Sequence, residues 1–548
     1  MPYSNLSGNK AILAAISIRM RSLFAIICLI SLQAQAQPDK EKAKWDVNNP
    51  PGPDKEVQFT LNEGTWMNLD LSPDGKNIVF DLLGDIFIMP AEGGAAKPLR
   101  EGYAYEVHPR FSPDGKKISF TSDAGGGDNI WVMNVDGSEA RQVSNEDLRL
   151  LNNASWTPDG NCLVARKHFT ATRSAGAGEI WMYHISGGSG LQLTRKKNDQ
   201  QDAGEPVVSA DGRYVYFSED MYPGGSFQYN KNPNSQIYVI RRLDRQTGEI
   251  ENVVKGPGGA VRPVLSHKGN QLAFVRRVRD KSVLYLHDLN TGLQRPVYDK
   301  LSKDQQEAWA LFGVYTNFSF SPDDQYVYIW AEGKIRKIKL DDGSEQVIPF
   351  TVNSHHRITR ALRYRQEVAP DSFQVHTIRN AVSSPDGKVL VFNAVGYLWR
   401  KELPHGKPVR LTNGSDFEFE PSFSPDGKQI VFVSWNDTSS GSIRVCANSA
   451  GCKPKTISTE RGIYRSPRFS PDGKQLVFVK ESGNDHQGFS YTENPGIYLM
   501  SASGAQAKRI LKSGEYPQFS ADGNRIYFSH QANVFSGMDK SLKSCDLN

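Results

Sequence analysis

The chain has 548 residues, 38% apolar and 23% charged, which supplies large cores and excludes a wholly disordered protein. Lys and Arg number 65 against 60 Asp and Glu, a net charge of +5. That excess is too small to mark a nucleic-acid partner.

The first element in chain order reads as an export signal over residues 1–36. Arg19 and Arg21 form a basic start, residues 23–32 an apolar run, and Ala34-Gln35-Ala36 a small-x-small cleavage site. The run is shorter than the ~20 apolar residues that span a bilayer. No membrane span is expected once the signal is removed. Met20 is a second candidate start, because 20–36 alone make a complete signal. Residues 37–54 read as a linker.

From there one tight turn recurs ten times. It begins as Ser72-Pro73-Asp74-Gly75 and returns with its first residue at Ser112, Thr157, Ser209, Ser266, Ser321, Ser384, Ser424, Ser470 and Ser520. Pro presets φ near −65°, Asp bonds the backbone, and Gly accepts the left-handed region. Ser266-His267-Lys268-Gly269 and Ser321-Pro322-Asp323-Asp324 are degenerate copies. A short apolar strand precedes each turn, as in Pro109-Arg110-Phe111. An alternating strand follows, such as Ile118-Ser119-Phe120, then a third such as Ile130-Trp131-Val132-Met133, a Gly turn and a short fourth strand. Four strands per repeat predict an all-β fold of propeller blades with WD40-like repeats.

Spacing predicts two rings. Successive turns lie 40, 45, 52, 57, 55, 63, 40, 46 and 50 residues apart, so the largest gap precedes a series that echoes the first. The expected domains are a six-bladed propeller over 55–352, a connector over 353–371 and a second ring over 372–548. Extra strands at 57–61 and 373–378 are expected to complete the last blade of each ring. The second ring has four repeats and lacks a final Gly turn and fourth strand, so it is expected to be truncated; a closed four-bladed ring is the alternative.

No catalytic, cofactor-binding or metal-binding constellation is legible. There is no Gly-x-Ser-x-Gly elbow, no His-Glu-x-x-His and no phosphate loop. His355 and His356 are adjacent and face opposite ways on a strand. Asp341-Asp342-Gly343 reads as a turn, not a calcium loop. Arg166-Lys167-His168 and Arg276-Arg277 either line a channel and bind a carboxylate or sugar, or pair within their blades. Arg357, Arg360, Arg363 and Arg365 make the connector basic. The Gly-rich stretches 124–127 and 175–178 read as hairpin tips at one rim. Of the cysteines left after the signal, Cys446 and Cys452 flank a hairpin loop. They either pair across it in an oxidising compartment or remain inert thiols.

The Ser-Pro-Asp-Gly-Lys turns, with Asn129-Ile130-Trp131-Val132-Met133-Asn134-Val135-Asp136-Gly137, resemble the TolB-like propeller repeat. Longer strings resemble the start of exported TolB-like propeller amidohydrolases. These are Lys44-Trp45-Asp46-Val47-Asn48-Asn49-Pro50-Pro51-Gly52, Glu63-Gly64-Thr65-Trp66-Met67, Phe80-Asp81-Leu82-Leu83-Gly84-Asp85-Ile86 and Gly178-Glu179-Ile180-Trp181. The resemblance implies a periplasmic or secreted module that binds a protein, peptide or substrate. It implies a parent hydrolase whose C-terminal catalytic domain, with its divalent metal such as zinc, is absent here. A freestanding envelope adaptor and the cap of a serine peptidase are the alternatives.

Overall fold

The computed structural model describes residues 46–147, 149–170, 176–222, 231–308, 310–360, 366–482, 492–531 and 540–547. The expected export signal, and Ala175, Arg363 and Arg365, lie outside the described residues. Chain contacts divide the protein after Pro51. Before that point the described residues form a turn, in which Asn49 N donates to Asp46 O (3.2 Å). The unit from Gly52 onward carries the sheets.

The described residues form strands and no helix. Nine four-stranded sheets and one three-stranded sheet correspond to the ten turns; their strands are consecutive in the chain except in the first blade, where Gly94–Ala95 intervenes before the fourth strand. These are propeller blades, six in a ring and four in a following arc.

The turn explains why the repeat folds locally. In the second blade Ser112 Oγ donates to Asp114 Oδ1 (2.6 Å) and accepts from Lys117 N (2.9 Å), while Gly115 N donates to Ser112 O (2.8 Å). Gly115 has φ 69°, which a side chain resists. The serine hydrogen bond, then the Lys116 N–H, hold the Asp114 carboxyl below its ordinary range. One degenerate turn is completed by the other. Ser266-His267-Lys268-Gly269 lacks the Asp, and Asp324 of the neighbouring turn accepts from His267 N (2.7 Å) and Lys268 N (3.0 Å) instead.

The inner strands are not regular. Four residues before the turn, His108, Asn153, Glu205, Arg262, Asn380, Glu420, Ser466 and Tyr516 all have φ between 50° and 58°. The register to the second strand slips at each of these positions. Each is a β-bulge, which re-aims one side chain toward the axis.

Asn68 and Asn317 occupy the same position in the first and sixth blades and close the ring. Asn317 N donates to Asn68 Oδ1 (2.9 Å), Asn317 Nδ2 to Leu69 O (2.7 Å) and Leu69 N to Asn317 O (3.3 Å). At the opposite ends of these blades the Pro322 ring sits against the turn glycine Gly75. In the arc, turn prolines touch the next turn's glycine from Pro385 to Gly523, but Gly387 has no such neighbour among the described residues. A continuous apolar cluster joins the first, fifth and sixth blades, from Leu69 and Phe80 to Val264 and Phe320.

The expected role of the extra strands is corrected. The sixth blade takes its own fourth strand, Glu345–Ile348, which already occupies the edge of Lys334–Lys339. The N-terminal strand Asp54–Leu61 instead pairs antiparallel with Phe350–Thr359, and that strand pairs parallel with Gly94–Ala95. This strap ties the start of the ring to its end, and the segment expected as a connector from 353 begins as strand. Residues 373–378 are exposed and form no strand; among the described residues no strand lies beside them to accept their hydrogen bonds.

Candidate functional site: the two propeller mouths

In the first ring the bulges turn four polar side chains inward: His108, Asn153, Glu205 and Arg262, each at most 3% exposed. The connection between the fifth and sixth blades, 299–318, runs across their mouth. Its root is fixed by Arg277, whose Nε and Nη2 donate to the two Asp304 carboxylate oxygens at 3.0 and 2.9 Å. Glu307 accepts from the same guanidinium (3.1 Å). Burial pushes the Asp304 carboxyl up, but Arg277 outweighs it and holds it below the ordinary range.

The tip of this connection fills the mouth. Leu311 O accepts from Asn152 Nδ2 and Arg166 Nη1, both at 2.7 Å. The Phe312 ring packs edge-on to Tyr105 at 5.7 Å and stacks on His108 at 6.0 Å. His108 Nε2 lies 2.8 Å from Phe312 O, which assigns its proton to Nε2. Burial, then the Arg262 charge, push the His108 pKa down to about 3, so the ring is neutral. Glu205 Oε1 accepts from Val314 N (2.6 Å), Oε2 from Arg262 N (2.6 Å), and Arg262 Nε donates to Tyr315 O (2.8 Å). The backbone of the tip thus meets complementary groups on several blades, and this mouth is closed by the chain itself.

The arc places the same inner positions around a cavity. A cavity of about 860 Å³ is lined by Asn380, Val395, Phe419, Glu420, Trp435 and Arg465, among others. Glu420 holds the bulge position of His108, and Arg465 the position of Asn152. Glu420 accepts from Arg465 Nε (2.7 Å) and from Ser466 N. Val395, at φ 55°, and Gly396 form the hairpin tip that Leu83, at φ 56°, and Gly84 form in the first ring. Phe417 packs on Gly396 as Tyr105 packs on Gly84. A β-branched residue at positive φ is strained, and such strain gathers at functional positions.

The residues singled out from the sequence are placed as follows. Arg166 pairs with Asp202 (2.8 Å) as well as Leu311 O, and Lys167 with Glu146 (2.5 Å). Arg276 donates to Gly259 O (2.9 Å). These cations bond within their blades and to the first-ring closure. His355 and His356 face apart, 3.4 Å from Glu56 and 3.6 Å from Asp85. Cys446 and Cys452 are joined, with Cα atoms 5.9 Å apart. Arg357 pairs with Asp54 across the strap.

The bulge residues and the closing segment escaped the sequence reading, although both left signals. Proline follows six of the eight positive-φ bulge residues, as in His108-Pro109 and Glu420-Pro421, and proline inside a strand marks a bulge. The connection 299–318 is also long for a link between blades, and such length points to function.

Residues 60–229 match the family model described as the TolB beta propeller domain. A putative Tricorn-like protease C-terminal subunit of Sulfurisphaera tokodaii is 25% identical over 162 residues, 29% of this chain and 18% of that protein. An uncharacterized peptidase, YuxL, of Bacillus subtilis is 31% identical over 170 residues, 30% of this chain and 23% of the other. The Tol-Pal system protein TolB of Helicobacter hepaticus is 27% identical over 203 residues, 36% of this chain and 45% of that protein. The chain thus spans less than half the length of each of these relatives.

Proposed function

We propose that this TolB-like β-propeller protein is an exported binding and gating module that captures protein or peptide and presents it to a hydrolase domain. The carrying observation is the mouth of the first ring, where inward-turned polar groups on several blades already seat an extended segment, 311–315, by its backbone. A rigid ring of blades with a polar, aromatic mouth suits capture of an extended chain. Two of the relatives are named as a peptidase and a protease subunit, which favours amide hydrolysis by the assembled protein. The resemblance of 44–52 and 80–86 favours an amidohydrolase as the parent. In that reading a divalent metal such as zinc belongs to the catalytic domain, and this chain carries no cofactor of its own. Residues 1–36 would direct export to the periplasm or beyond, where Cys446 and Cys452 stay oxidised.

The test is the mass of the native protein in its own cell envelope, detected with an antibody to residues 55–350. A band well above the 61.0 kDa of this chain, with amide hydrolysis abolished by chelators, is the expected result. A band slightly below 61.0 kDa overturns the gating reading. It leaves a freestanding envelope adaptor, the reading favoured by the match to TolB.

A further inference from the structure

The strap that ties the ends of the first ring together covers a buried carboxylate with little to hold it. Asp85, in the first blade, is 1% exposed. Its Oδ1 accepts one long bond from Gly102 N (3.3 Å), and its Oδ2 has no hydrogen-bond partner. A carboxylate buried in that state is costly unless a proton or a cation neutralises it. The charged groups that face it from the segment after its blade are Glu101 and Glu106, both of its own sign. Arg100 is committed to Glu106, to which its Nε and Nη2 donate at 3.1 Å.

The other face of Asp85 meets the strap. His356 Nε2 lies 3.6 Å from Asp85 Oδ2. That is too long for a hydrogen bond but short enough for each charge to set the other. The imidazole is held in place from its own sheet. Its ring stacks on Phe59 of the paired strand at 5.6 Å, and Nε2 lies 2.8 Å from Ser354 Oγ. His355 points the other way, toward Glu56. Arg357 is taken by Asp54, which also accepts from Tyr103 Oη (2.9 Å). Among the described residues, His356 is therefore the strap cation that pairs with Asp85.

We propose that Asp85 and His356 share one proton and so form a latch, which holds the strap on the ring in neutral and mildly acidic medium and loosens it in alkaline medium. With that proton the pair is neutral overall, as acid beside imidazole or as carboxylate beside imidazolium. Without it a bare carboxylate stays buried under the strap. Burial, then the charge of Glu101, push the Asp85 pKa up from 3.8 to about 7. The contribution of Asp85 is thus fully present below 3.8 and lost as the pH rises through about 7. Histidine is the side chain that ordinarily changes charge in the same range. Asp85 also opens the strand after the tip Leu83-Gly84, on which Tyr105 packs, so the latch adjoins the mouth that 311–315 fills.

A two-stranded ribbon is marginal by itself, so undocking of the strap reads out as amide exchange in 54–61 and 350–359. The measurement is hydrogen–deuterium exchange of the full chain at pH 6 and pH 8.5, on either side of the range in which the pair titrates. Labelling times are scaled to the intrinsic rate at each pH, and the blade strand 77–82 is the internal standard. Exchange of the strap relative to 77–82 is expected to rise about threefold to tenfold between the two. Asp85→Asn should remove that rise. His356→Gln takes away the proton's second seat and should move the midpoint to lower pH. Asp81→Asn should leave the rise in place, which separates the latch from the other buried carboxylate of the same blade. His356→Gln carries the test alone should Asp85→Asn lose the protection of 77–82. No rise in the wild type, a rise undiminished in Asp85→Asn, or a midpoint unmoved in His356→Gln overturns the latch.

Discussion

One serine hydroxyl holds the turn of the second blade, because it accepts from the next strand while donating to the turn aspartate. Ser112→Ala removes both bonds at a buried position and should cost about 1 kcal/mol, read as a lower urea midpoint for the first ring. A second residue-scale effect comes from Asp81. Its carboxylate accepts from Asn68 N (2.7 Å), Asn68 Nδ2 (2.8 Å) and His108 N (2.9 Å). Burial nevertheless pushes its pKa from 3.8 to about 7, against those donors. The folded state therefore holds a proton that the unfolded chain releases above pH 3.8. This contribution is fully present below that pH and lost as the pH rises through about 7. Asp81→Asn should flatten the change in melting temperature between pH 5 and pH 8. An unchanged slope would exclude Asp81 as the titrating group.

The connection 299–318 behaves as an element of its own, anchored at its root and fitted at its tip. Arg277 is fully buried against Asp304. Arg277→Ala strands that carboxylate and should cost about 3–5 kcal/mol, seen as a large fall in the melting temperature of the first ring. In the arc, the bond between Cys446 and Cys452 closes a short loop. In the chain-entropy account its reduction removes about 2 kcal/mol. A reductant should therefore lower the arc's transition and leave that of the first ring in place.

At the scale of the whole molecule, the ring and the arc are expected to unfold as separate cooperative units. The ion pair of Arg279 with Glu493 joins them, with side chains 60% and 53% exposed. A pair so exposed is worth at most about 1 kcal/mol. Blade stability passes mainly between neighbours, so deleting one interior repeat of the ring should remove its calorimetric transition and spare the arc's. Deleting 54–61 should lower the ring's transition without abolishing it, because Asn68 and Asn317 still join the first and sixth blades. A single transition lost altogether in the repeat deletion would contradict two units.

The sequence by itself determined what is local in this protein. A Ser-Pro-Asp-Gly turn dictates its own geometry within a few residues, and alternation of apolar side chains dictates the strands beside it. Blades, their number and the echo between two sets of them were therefore legible. Tertiary structure decided everything that depends on partners distant in the chain. The pairing of Asn68 with Asn317, the strap of 54–61 on 350–359 and the seating of Phe312 on His108 join residues about 200 to 300 positions apart, and no local pattern encodes such a meeting. The same reason hid the candidate site. Glu420 and Arg465 belong to different blades and look like solvated charges in sequence; only the bulges, set by packing around the axis, turn them toward one cavity.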